Sequence, residues 1–373
     1  MSTTDPTAPD PAPDAEALAA ARTSGGTVVT VTGEIRADAL GAVLPHEHLL
    51  SDVAPRGDTA AAWAAVGHAR PTAASRVRLY RAPLTMDLLG EVGTGAPNRD
   101  NWLLDDEDLA AAEATAFRDA GGATLVDATQ PGLGRRPAGL RRIARATGLH
   151  VVMGAAPRDA ARSAEQAPER LTEEIVRDLT EGVDGVRAGI IGEIGALDPT
   201  MPAAHAVLVA AARAAAATGA AISLRRSEDA ATQQRVLDVL AEEGADLSRV
   251  AVGHCDGLAP RPDDLEPLLA RGVFVRFDQL GRLPTVLSTW DDQDVAAAVL
   301  ELARRGHAGR VLLSQGVSSK AQLLAYGGGG YGFVLRQFVP YLRMLGADDA
   351  LVAAVTVHNP GRLLTLADRR APS

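Results

Sequence analysis

The run "AVLPHEH" at residues 42–48 carries two histidines one residue apart, His46 and His48. On a strand, residues two apart share a face, so both imidazoles would enter one cavity. That is the spacing two ligands of a single metal ion need. Further chemistry-bearing groups stand at the ends of other short apolar runs: Glu193 in "RAGIIGEIG", Arg225 in "AAISLR", His254 in "VAVGHCD" and Asp278 in "VFVRFDQ". Imidazoles and a carboxylate together make a workable zinc-type ligand set. A guanidinium keeps its proton and cannot ligate, so Arg225 would bring a fixed positive charge instead.

The elements that must position these groups follow from the same runs. Eight of them recur: 42–48, 123–129, 150–156, 187–195, 220–225, 250–256, 273–279 and 310–316. Between them lie stretches such as "DLAAAEATAFRDAG" with apolar residues at i, i+3 and i+4, the mark of amphipathic helices. Several of these end at Gly just before the next run, as helix C-caps do. Eight strand–helix units predict an α/β fold, a (β/α)8 TIM barrel, whose functional groups gather at the C-terminal ends of the strands. The Pro/Gly-punctuated segment from about Asp52 to Asn101 is too long for an ordinary connection and is expected to cover one mouth of the barrel. Residues 1 to about 25, rich in Pro, Ala and Asp, are expected to form a disordered tail, with residues 26–373 as one barrel domain.

Composition narrows the partners. The net charge of −10 disfavours nucleic acid and anionic membrane surfaces. No apolar run approaches a membrane span, and the first residues lack the basic and apolar regions of a secretory signal. Cys255 is the sole cysteine, which suits a reducing cytoplasm and excludes an intrachain disulfide. It follows His254 and is read as a small buried hydrophobe. The other histidines (His68, His150, His205, His307 and His358) fall in loops, in helices or at strand starts and are not taken as ligands. "YGGGGYG" at 326–332 lacks the Lys-Ser/Thr end of a phosphate loop.

"GEIRADALGAVLPHEHLLSD", "NRDNWLLDDEDL", "RAGIIGEIG", "RVAVGHCD", "FDQLGR" and "YGGGGYGFVLRQFVP" resemble the phosphotriesterase family of the amidohydrolase superfamily, from about residue 27 to the "NPGRLL" near the C-terminus. The resemblance implies a metal-dependent hydrolase of phosphotriesters, lactones or related esters. It also implies two divalent ions bridged by a carboxylated lysine or a glutamate, and a homodimer. Glu193 matches the glutamate-bridged branch. Two of the six family ligand positions are lost: one aligns with Arg225 and another, an aspartate, with Gly316 in "LLSQGVSS".

The expected site is therefore mononuclear at most, with His46, His48 and Glu193 as the ligand trio and His254 as a fourth ligand or a substrate-facing group. Glu193 has an alternative role, an ion pair with Arg225. Arg225 is expected to stabilise an oxyanion, and Asp278 to act as general base on a bound water. The expected function is hydrolysis of a small ester, lactone or related molecule through one divalent ion, zinc. The alternative is a metal-free descendant serving as a small-molecule binding protein or a lyase- or cyclase-type enzyme. On this reading, Arg225→His with Gly316→Asp would rebuild a second metal site.

Overall fold

In the computed structural model, residues 25–157, 167–285 and 288–367 are described here. The proposed N-terminal tail lies outside them. The eight runs form eight strands: β1 (Ala42–Glu47), β2 (Gly122–Asp127), β3 (His150–Ala155), β4 (Ile190–Ile194), β5 (Ile222–Arg225), β6 (Val250–Gly253), β7 (Phe274–Phe277) and β8 (Val311–Leu313). They lie in sequence order in one sheet and every adjacent pair is parallel. The sheet curls round until β1 meets β8. There the Gly316 N–H donates to the His46 carbonyl at 3.1 Å and the His48 N–H donates to the Val317 carbonyl at 3.0 Å. This is the TIM-barrel architecture expected from the alternation of runs and helices.

Local chemistry sets the helix bounds. The helix Glu107–Asp119 opens on Asp106, whose side chain accepts from the N–H groups of Asp108 and Leu109. The helix Asp292–Arg304 opens on a reciprocal Asp291/Asp294 capping box. The helices Pro137–Thr147 and Pro202–Thr218 begin with proline, where a missing N–H costs nothing, and end on left-handed Gly148 and Gly219.

Strand parity sorts the barrel interior. One residue from each strand region (Val43, Val126, Val152, Ile190, Ala221, Ala251, Phe274 and Leu312) joins a buried apolar layer at the N-terminal end of the barrel. A hairpin of Thr27–Thr30 and Gly33–Arg36 closes that end and adds Val28 to the layer. The alternate residues on the outer face pack against the helices in a separate, larger core. Above the apolar layer the interior turns polar, with Ser223, Arg276 and Ser314 at the next inward positions, all buried.

The long segment after β1 has its own small core. Its ends are joined by an antiparallel pair, Ser51–Asp52 with Leu103–Leu104. Trp63 packs on Tyr80 with ring centroids 4.9 Å apart, and Trp102 closes the cluster at 6.2 Å from each. Lys320, the single lysine of the chain, bridges to Asp100 at 2.6 Å. That bridge ties the segment to the loop after β8, on the same side as the C-terminal strand ends.

Candidate metal centre

His46 enters the interior at the end of β1, where a register shift between Leu44 and Glu47 interrupts the pairing with β2. A second shift, between Ile191 and Ile194 of β4, turns Glu193 inward although plain alternation from Ile190 would point it out. His254 follows β6 in a left-handed conformation, φ 58°, unusual for a residue with a side chain. Asp278 follows β7 and is fully buried. These four residues each offer one ligand-type atom, all within 4.8 Å of one another, and they are the one such group among the described residues.

A fifth residue organises them. Arg276, also fully buried, shares the inward parity of Phe274 and Asp278. Its Nη2 donates to Glu193 Oε1 at 2.5 Å, its Nε to Asp278 Oδ2 at 2.7 Å and its Nη1 to Ser223 Oγ at 2.7 Å, and Nη2 lies 3.3 Å from His46 Nδ1. Gly253 makes this possible, because an added Cβ would overlap the guanidinium. Glu193 thus has its guanidinium partner, but it is Arg276 and not Arg225. Arg225 ends β5 exposed and makes no ion pair among the described residues. The expected Glu193–Arg225 pair is corrected accordingly: a strand-end arginine faces water, while one two residues inside the wall reaches both carboxylates.

The charges settle into a compact balance. Burial alone would raise Glu193, but the charges of His46 and Arg276 hold it at about 2. Burial likewise opposes the ionisation of Asp278, yet Arg276, His254 and His46 hold it well below the usual carboxylate range. Burial is the strongest influence on His46 and lowers it, with Arg276 adding to that, but Glu193 and Asp278 together outweigh both and raise His46 to about 9. Before any ion binds, two carboxylates therefore face two cations, Arg276 and protonated His46.

His48 stands apart. Burial and the neighbouring His46 charge lower it to about 3, so it stays neutral. Its Nδ1 lies 2.9 Å from Thr129 Oγ1, and its ring centroid is 5.4 Å from that of His46. It is not one of the four clustered ligand atoms. Asp278, expected as a base, has both oxygens in use: Oδ2 meets His46 Nδ1 at 2.7 Å as well as Arg276, and Oδ1 accepts the His254 N–H at 2.8 Å. A carboxylate so held is a weak proton acceptor and a firm anchor. Cys255 is buried, and burial pushes its thiol up to about 12.

The donor set fits one divalent ion. His46 Nε2 and His254 Nδ1 are buried without aligned hydrogen bonds: the first lies 3.0 Å from Glu193 Oε2 and the second 3.1 Å from Asp278 Oδ1, each off the hydrogen-bond direction. Unpartnered buried nitrogens are costly unless something else satisfies them. With Nδ1 of His46 on Asp278, its Nε2 is presented as a metal ligand backed by a carboxylate. A second site has no such support. Gly316 has φ +55°, and an added Cβ would lie 2.6 Å from the Asp278 carbonyl oxygen. Gly316→Asp would therefore strain the wall it was expected to repair, and Arg276 would still hold both carboxylates.

An eight-stranded barrel with a nitrogen–carboxylate cluster at its strand ends defines the class of metal-dependent barrel hydrolases. The chain belongs to the Phosphotriesterase family, whose model matches residues 26–364. It is 29% identical to an N-acetyltaurine hydrolase of Danio rerio over 354 residues, 91% of this chain and 98% of that protein. Among solved structures it is similar to a resiniferatoxin-binding protein from Rhodobacter sphaeroides, with TM-score 0.81, 36% identity, and 91% and 95% of the two chains covered. It is also similar to the phosphotriesterase homology protein from Escherichia coli, solved with phosphate in its active site, with TM-score 0.70, 28% identity and coverage of 88% and 100%.

Two outcomes follow from this charge balance. Arg276→Met leaves Glu193 and Asp278 without their shared cation and is expected to destabilise chelator-treated protein by about 3–5 kcal/mol, in urea unfolding, with zinc restoring part of the loss. Equal stability in chelator would contradict the assignment. Protonated His46 stabilises the metal-free chain. That contribution is fully present below the ordinary value of 6.5 and is lost as pH rises through about 9. An ion at Nε2 must displace that proton. Calorimetry at roughly pH 7.5, in buffers of different protonation enthalpy, should show about one proton released per ion.

Proposed function

We propose that the protein is a hydrolase of a small ester, lactone or related acyl compound, working with one divalent ion, zinc. The observation that carries this reading is the convergence of two buried nitrogens that lack aligned hydrogen bonds, His46 Nε2 and His254 Nδ1, with Glu193 and Asp278. These four would hold the ion, with neutral His48 beside them. An ion there supplies Lewis-acid activation of a carbonyl or phosphoryl oxygen and of water. The chain's own residues do the rest. Arg276 fixes the orientation of both carboxylates, and Asp278 fixes the ring of His46 and the backbone of His254. His254 keeps an accessible edge toward the mouth, and exposed Arg225 is left free for substrate.

The relatives' names support acyl hydrolysis: one group is named for N-acetyltaurine, an amide. The second reading, a metal-free protein that binds a small molecule or catalyses a non-hydrolytic step, is favoured by one observation. Arg276 already neutralises the carboxylates that an ion would need. A neighbour named as a resiniferatoxin-binding protein is consistent with it. We further propose a homodimer in the cytoplasm, with no nucleic-acid or membrane partner; no helix of the described residues is long and apolar enough to cross a membrane.

Elemental analysis after dialysis, paired with a panel of aryl esters, lactones and N-acyl amines before and after chelation, tests the proposal. One ion per chain and chelator-sensitive turnover are expected. No ion and no turnover would favour the binding reading, and two ions per chain would overturn the single-site account.

A further inference from the structure

Three guanidinium groups near the candidate centre, those of Arg225, Arg226 and Arg282, lack acidic partners among the described residues. Arginines elsewhere in this acidic chain are commonly paired, as in Arg135–Asp178 and Arg305–Glu301. Among the described residues, Arg225 and Arg282 have no carboxylate within 4.0 Å. Arg225 is the last residue of β5 and lies two positions after Ser223, whose Oγ accepts from Arg276 inside the barrel. It therefore leaves the wall on the interior face, one step nearer the mouth than Ser223. Its register partner is Gly253, the residue before His254. Arg282 projects from the loop after β7, four residues beyond Asp278, past a turn fixed by Gly281 at φ +79° against the Phe333 ring.

The two leave the barrel from strands on either side of β6, both at the C-terminal rim. Surrounding protein lowers the pKa of Arg282 even though the side chain is exposed; Asp256, Asp278 and Glu47 raise it, and the charge of Arg225 lowers it. Arg282 is thus within electrostatic range of both the buried centre and Arg225. Arg226 adds a third positive charge nearby, but its Nε donates to the His254 carbonyl and its Nη1 to those of Ser227 and Glu228, which hold it against the backbone. Two exposed guanidinium forks that repel each other beside the candidate centre are suited to a planar or tetrahedral oxyanion, which each can grip bidentately.

We propose that Arg225 and Arg282 form an anion-recognition pair, so that the substrate carries a carboxylate, sulfonate or phosphate group separate from the bond that is cleaved. The reference to a cleaved bond rests on the hydrolase reading; the anion site does not. It gives Arg225 a recognition role in place of the oxyanion-stabilising role expected from sequence.

The test is titration calorimetry of the full chain, metal-loaded and chelator-treated, with N-acetylethanolamine and with its sulfonate, carboxylate and phosphate counterparts of equal length. Acetate release is followed in parallel. At least one anionic probe should bind about tenfold more tightly than the neutral one, and Arg225→Gln or Arg282→Gln should each remove about tenfold of that preference. Binding of the neutral probe should stay within about twofold in both variants, since an exposed side chain contributes little to folding. Equal binding of neutral and anionic probes, absence of binding by every anion, or full retention in the double variant would overturn the anion site. Anion preference without acetate release would support the site while counting against the hydrolase reading. Release without preference would overturn the site alone.

Discussion

A single buried guanidinium sets the terms for everything at the C-terminal end of this barrel. Arg276 crosses the interior from β7 to reach Glu193 from β4, Asp278 just beyond its own strand and Ser223 from β5. A charge with no access to water is tolerated only when it is paired and its donors are used, and here all three donor nitrogens are engaged. The wall is shaped to admit it: Gly253 supplies the space, and the apolar layer ends just below, at Phe274 and Ala251. Glu193, Asp278 and, through Asp278, both His46 and His254 take their positions from it.

This arrangement gives a physical reason why the centre is mononuclear at most. A family site built for two ions brings several carboxylates and imidazoles together, with the charge of the ions as compensation. In this chain a permanent cation of the protein supplies part of that compensation. His46, raised to about 9, supplies another part until an ion displaces its proton. One ion can replace the proton. A second would have to displace Arg276, which cannot be neutralised and has nowhere wet to go.

Most of the scaffold was legible in the sequence, because barrel strands are short apolar runs set between helices with recognisable caps. His46, Glu193, His254 and Asp278 were legible as polar residues at the ends of those runs. Arg276 was missed for a definable reason: attention to run ends overlooks a polar residue inside a run. Simple two-residue parity from Asp278 would have placed it indoors. The same parity assigns Arg225 to the interior face, and at the final position of β5 it is exposed where Ser223, two residues earlier, is buried. Other features depend on irregularities that no pattern announces. Glu193 points inward only because β4 shifts register, and His48 turns to Thr129 while its neighbour in the motif joins the cluster. The N-terminal hairpin, not anticipated at all, was nonetheless signalled by the alternation in "TVVTVTGEIR" with Gly33 at its turn.

The central claim is that Arg276 holds the place a second cation would need while one ion sits among His46, Glu193, His254 and Asp278. The most direct measurement is a crystal structure of zinc-soaked protein with anomalous scattering recorded on both sides of the zinc edge. One zinc peak per chain is expected, bonded to His46 Nε2, with Arg276 still hydrogen-bonded to Glu193 and Asp278. Two zinc peaks, or a single peak with Arg276 expelled from between the carboxylates, would contradict it.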